Sequence, residues 1–281
     1  MKLDIIAVYE NLDGYILEME KENVDCEILW DKYAIQPYWE KISHWAPFDM
    51  SDRKAKPIKD ICKLKQQLKL MKEINLNEIK SKFMKVVNEL PNYDEDPIVI
   101  AIYPLDDENC IVKERQNGVL GVNVFGNVLI NVNPFVQDYI EWIPYVFAHE
   151  YHHTVCGNYW HVVHGGGGTG SFIEAMLIDG QADAFAKILN PTLNPTWISH
   201  ISKEQEKELW NKYYYKLLNE TDFDYSRYMF GDDEAGIPWC TGYFFGYKII
   251  DCFRKCYPQI GVKNMIEMSS EEIFTMSDYC L

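Results

Sequence analysis

His149-Glu150-Tyr151-His152-His153 reads H-E-x-x-H inside a stretch whose apolar spacing predicts a helix. On an α-helix, residues four apart stack one turn above each other, so His149 and His153 can aim two imidazoles at one metal ion. Neutral imidazole nitrogens are good zinc ligands, and a carboxylate beside the metal can take a proton from water as that water attacks a carbonyl. Glu150 is the residue with that position and chemistry. The pattern is the zinc-hydrolase arrangement, with Glu150 as general base and Zn2+ as the cofactor.

A catalytic zinc has three protein ligands and one open position. The third is expected from Ser171 to Ala186, a segment with the apolar spacing of a buried helix and two competing acids, Glu174 and Asp179. Ser171 and Glu174 match the S-x-x-E capping box, which gives Glu174 a structural task at the helix start. Asp179 is flanked by Leu177, Ile178 and Ala182, where an unpaired carboxylate is costly to bury and a metal would offset that cost. Glu174 remains the second candidate. Asp183, one turn on, is placed to accept the other N–H of a ligating histidine.

Three blocks in order, Ala148-His149-Glu150-Tyr151-His152-His153, Ile178-Asp179-Gly180-Gln181-Ala182-Asp183 and Gly242-Tyr243-Phe244-Phe245-Gly246-Tyr247, resemble the YjaZ-like family of predicted zinc-dependent proteases. The likeness runs from about Asp96 to Cys256. It implies a gluzincin-like peptidase in which a distal acid completes the site; the position of that acid is Asp179 here, one methylene shorter than the usual Glu. By themselves, Gly242 and Gly246 read as a close helix contact, with Tyr243 and Tyr247 on one face as equal candidates for an oxyanion donor. The resemblance favours Tyr243.

These residues must be positioned by the rest of the chain. Pro144 suits the first turn of the H-E-x-x-H helix. Gly118 to Pro134 alternates β-branched residues around Phe125-Gly126-Asn127 and predicts a hairpin. In peptidases of this type an edge strand can receive an extended substrate as one more strand, and the hairpin is the candidate edge. Asp96 to Tyr103 predicts another strand, apolar enough from Pro97 to Ile102 to be central in its sheet. His161 and His164 precede Gly165-Gly166-Gly167-Gly168, a loop expected to be mobile and lid-like. Lys203 to Glu220 predicts another amphipathic helix.

The expected fold is α+β: a zincin-like metallopeptidase domain over residues 93–281, with a small mixed sheet, and a helical N-terminal lobe over residues 1–92, divided at the Pro91–Pro97 stretch. Net charge is −16, from 27 basic and 43 acidic residues, which argues against nucleic acid and anionic membranes as partners. No run reaches transmembrane length, and Met1 to Glu10 turns acidic too early for a signal peptide. A cytoplasmic protein with eight reduced cysteines is expected, Cys252 and Cys256 among them as core thiols. A peptide or protein is the expected substrate; the oligomeric state is not legible. Two other readings fit the same residues, a non-catalytic zinc protein that binds a peptide or partner, and a hydrolase of a non-peptide amide.

Overall fold

The computed structural model describes residues 2–279. It is a mixed α+β structure with one small sheet and many helices. The chain forms two compact units, Met1–Thr154 and Val155–Leu281.

In the first unit the strands are β1 (Leu3–Ala7), β2 (Ile98–Pro104), β3 (Val119–Val124) and β4 (Asn127–Val132), ordered β1-β2-β4-β3. β1 and β4 run parallel to β2 on either side of it, and β3 pairs antiparallel with β4. β2 is buried along its whole length, as its unbroken apolar run predicts for a strand with neighbours on both sides. Around the sheet lie α1 (Asp13–Met19), α2 (Cys26–Trp30), α3 (Gln36–Ile42), α4 (Ile61–Met71), α5 (Leu76–Glu89) and α6 (Cys110–Arg115). Asp60 and Asn75 start α4 and α5 by accepting the Lys63 and Glu78 backbone N–H groups. The segment expected as a helical lobe is therefore not helical throughout. Leu3–Ala7 joins the common sheet, pairing in parallel with Ile98–Ile102 of β2.

The hairpin forms where expected. Val124 pairs with Asn127 across a two-residue turn, Phe125-Gly126, in which both residues have positive φ, 44° and 95°. That is the signature of a type I′ turn. Asn127 is buried at the start of β4, where its side chain accepts the Val99 N–H at 2.8 Å and donates to the Ile42 carbonyl at 2.8 Å.

The H-E-x-x-H segment lies on α7 (Tyr139–Gly157), and the division between the units falls within this helix. The helix begins earlier than the sequence suggests, so Pro144 sits inside it rather than in its first turn. The missing N–H leaves the Ile140 carbonyl without its helical donor; Ile140 is exposed, where water can supply one.

The second unit carries α8 (Phe172–Leu189), α9 (Lys203–Leu209), α10 (Tyr215–Leu217), α11 (Thr241–Cys256), α12 (Val262–Ile266) and α13 (Ser270–Met276). The stretch expected as one helix from Lys203 continues past α9 as a π-helical turn, Trp210–Tyr214, before α10. α8 packs along α11 around Phe172, Met176, Leu177, Phe245 and Ile249, all fully buried. Of the two cysteines expected as core thiols, Cys252 is half-buried against the core and Cys256 is exposed. Among the described residues, no helix is long and apolar enough to cross a membrane.

Candidate metal centre

α7 is held by aromatic contacts on the side away from its histidines. The Phe147 ring stacks on Phe83 of α5 at 4.0 Å between centroids and lies 5.7 Å from that of Tyr151. Tyr151, an interior residue of the motif, is fully buried and donates its hydroxyl to the Leu90 carbonyl at 2.9 Å. Burial pushes that hydroxyl's pKa up, so it stays a neutral donor. The rotation of α7 is thereby set by residues that do no chemistry.

His149 and His153 are half-buried, one turn apart, and their Nε2 atoms face each other at 3.1 Å. Asp179 of α8 is buried, and its carboxylate joins them: one ligand atom from each of the three lies within 4.8 Å of the others. The protein thus has a His-His-Asp cluster that can bind a metal ion. Of the two acids in competition, this group includes Asp179 and leaves out Glu174.

Glu174 has other work. Its carboxylate accepts the Gly170 N–H at 2.6 Å and the Thr169 hydroxyl at 2.9 Å, and a side chain at Gly168 would overlap it. The capping box expected with Ser171 is not formed; Ser171 makes no side-chain cap, and Glu174 reaches one residue further back to tie down the end of the glycine loop. Asp183 is fully buried, and both its oxygens accept the Trp197 indole N–H, at 3.0 and 3.1 Å. Three residues past His153, Cys156 has its thiol pushed up to about 12 by burial, with Glu174 adding to the effect, so it stays protonated.

Glu150 is buried against the edge strand. A Cβ at Gly121 of β3 would come within 2.5 Å of the Glu150 Cγ and Oε1, so only glycine lets this carboxylate lie against the strand. Asn123, two residues on and on the same face, donates to the Glu150 carbonyl at 3.0 Å and to the Thr154 hydroxyl at 2.9 Å. Thr154 in turn donates to the Gly126 carbonyl at 3.1 Å. Gly121, Asn123 and Thr154 escaped the sequence reading because their roles depend on which face of β3 meets α7. The glycine interrupting an otherwise β-branched strand was the available signal.

The third block is read by its glycines. A Cβ at Gly180 would overlap the carbonyl of Gly246, one at Gly246 would overlap the carbonyl oxygen of Met176, and one at Gly242 would lie 2.5 Å from the Met229 sulfur. α8 and α11 therefore touch backbone to backbone next to Asp179. Gly180→Ala is expected to lower unfolding stability by about 1–3 kcal/mol through overpacking. Denaturant unfolding measures this, and a wild-type midpoint for the variant would rule out the tight crossing. Tyr243 is partly buried with its ring 5.7 Å from Phe230. The Tyr247 hydroxyl is pushed up, by burial first and then by Asp251 and Asp183.

A helix carrying H-E-x-x-H, with a distal buried carboxylate gathered to its histidines, defines a possible metal centre of the zinc-protease kind. The chain belongs to the family described as predicted Zn-dependent protease (DUF2268), which matches residues 75–275 and so takes in His149, Glu150, His153, Asp179 and Tyr243. This is the YjaZ-like family that the sequence resembles. Among curated proteins, the chain is similar to "Uncharacterized protein YjfC" of Bacillus subtilis (strain 168), with 29% identity over 171 residues, covering 56% of this chain and 53% of that one. The chain thus spans about half the length of this curated relative. No solved structure matches it.

Proposed function

We propose that the protein is a zinc-dependent metallopeptidase in which His149, His153 and Asp179 hold the metal and Glu150 is the general base. The observation that carries this reading is that one ligand atom from each of the two motif histidines and from the distal Asp179 lies within 4.8 Å of the others. The donor set fits zinc. Two nitrogens bound at ~2.0–2.1 Å in a tetrahedral shell sit roughly 3.3 Å apart, close to the 3.1 Å between the histidines. Two imidazoles and one carboxylate also leave the fourth position open, as catalytic sites require.

Zinc, when bound, would polarise the scissile carbonyl and make a water acidic enough to attack it near neutral pH. Glu150 takes the proton released by that water and delivers it to the leaving amine nitrogen. Its carboxylate is confined for this by the bare backbone of Gly121. β3, at the edge of the sheet, receives the extended substrate as a further strand, so that affinity comes from main-chain hydrogen bonds shared by any peptide. Tyr243 donates to the developing oxyanion, a role that rests on the family resemblance. The small mixed sheet beside an H-E-x-x-H helix supports a zincin-like fold for the catalytic machinery, all of which lies within residues 93–281. A cytoplasmic setting, with reduced cysteines, goes with this reading.

Elemental analysis of the purified protein, paired with digestion of a peptide library before and after chelation, tests the proposal. About one zinc per chain is expected, with cleavage lost on chelation and restored by zinc. Full cleavage by metal-free protein would overturn it.

A further inference from the structure

The tip of the β3–β4 hairpin breaks a local rule. Its first turn residue has φ 44°, a left-handed backbone conformation in which a type I′ turn prefers Asn, yet the residue is Phe125. An aromatic side chain is disfavoured there, and burial compensates only in part: Phe125 stays 38% exposed. Its contact is Phe48, itself 62% exposed, edge-on at 5.1 Å. Two large apolar rings, each partly open to solvent, thus lie against each other.

The turn that carries Phe125 is held in place. The turn is pinned by Thr154, which donates to the Gly126 carbonyl, and by Asn123, whose side chain accepts the Gly126 N–H at 3.2 Å. Thr154 lies one helical turn beyond Glu150 on α7, roughly 6 Å along the axis. The chain leading to Phe48 is tied to the same hairpin by the bond from Asn127 to the Ile42 carbonyl.

The register connects this pair to the candidate active site. Val124 and Asn127 close the turn, so hydrogen-bonded and non-hydrogen-bonded pairs alternate back along β3. The Asn133 N–H to Gly118 carbonyl bond, at 2.7 Å, confirms the alternation. Gly121 and Asn123, opposite Ile130 and Val128, are non-hydrogen-bonded positions whose N–H and C=O groups point to the open edge of the sheet. Gly121 is the residue against Glu150, and Phe125 lies four residues further, about 13 Å at strand rise.

We infer that Phe125 and Phe48 form an apolar subsite for a large hydrophobic side chain of the substrate, three to five residues from the cleaved bond. This rests on the proposed peptidase reading with β3 as the substrate strand. It assigns the protein a preference for peptides carrying such a residue at that distance.

The test is a set of short blocked peptides with Leu or Ala at one position at a time on both sides of the cleaved bond. For the wild-type zinc protein, Leu at one position in that window should raise kcat/KM about tenfold over Ala, the scale set by burying one apolar side chain. In Phe125→Asn and in Phe48→Ala that ratio should fall close to one. Phe125→Asn suits the turn, so its thermal melt should not fall below that of wild type, which separates a lost subsite from a damaged hairpin. A Leu/Ala ratio unchanged in both variants, or no such position in the wild type, overturns the subsite. Should the wild type cleave no peptide, the peptidase reading fails and fluorescence anisotropy decides the subsite. Labelled Leu peptides binding about tenfold tighter than Ala peptides to Glu150→Gln, with the difference lost on adding Phe125→Asn, uphold it. Equal binding of the two peptides rejects it.

Discussion

Glu150→Gln is expected to abolish peptide hydrolysis while leaving zinc content and thermal stability close to those of the wild type. The amide keeps the size and one acceptor of the carboxylate but cannot take a proton, so the loss should be at least the ~10²–10⁴-fold that general acid–base catalysis contributes. Gly121→Ala should give a weaker form of the same defect, since its methyl is driven into the same carboxylate; displacing a catalytic group by about 1 Å typically costs ~10²-fold. Tyr243→Phe should lower turnover by up to ~10²–10³-fold if its hydroxyl meets the oxyanion, with Tyr247→Phe as the packing control on the same helix. Turnover of one cleaved peptide, measured on all four variants, separates these effects. Substantial activity in Glu150→Gln would end the proton-transfer role assigned to Glu150 and require a different base; a zinc protein that only binds its partner is instead the outcome if the wild type itself cleaves nothing.

The ligand set makes the second large prediction. His149→Ala, His153→Ala and Asp179→Ala should each weaken zinc binding by more than about 100-fold, because losing an outer partner of a ligand already costs ~10–100-fold. Glu174→Ala should keep its zinc, since its carboxylate is committed to Gly170 and Thr169. Competition against a chelator measures all four. Zinc retained by Asp179→Ala and lost by Glu174→Ala would reverse the assignment and move the third ligand to the start of α8.

Much of this site was legible before any coordinates. His149, Glu150 and His153 follow from spacing alone, because four residues make about one helical turn whatever the fold. The hairpin was readable from alternation around Phe125-Gly126, and Asp179 from the cost of leaving a carboxylate unpaired among Leu177, Ile178 and Ala182. What escaped depends on contacts far apart in sequence. Leu3–Ala7 is too short to declare itself a strand until β2 lies beside it. Ser171 and Glu174 match a capping box, but the pattern cannot reveal that Gly170 and Thr169 compete for the same carboxylate. Asp183 accepts from Trp197, fourteen residues on, and no local pattern announces that pair.

The backbone contact between Gly180 and Gly246 bears on how this chain can vary. A side chain at a helix contact can absorb a neighbour's change by rotating, as the partly buried Tyr243 can. Two main chains pressed together have no rotor between them, so the α-carbon next to Asp179 has nothing soft on that side. In a saturation scan, position 242, whose added Cβ would meet the Met229 Cα at 2.7 Å, should be restricted to glycine, and so should the facing pair 180 and 246. Compensating double changes should not rescue them, because a larger residue on either side needs space that only separation of the helices can provide.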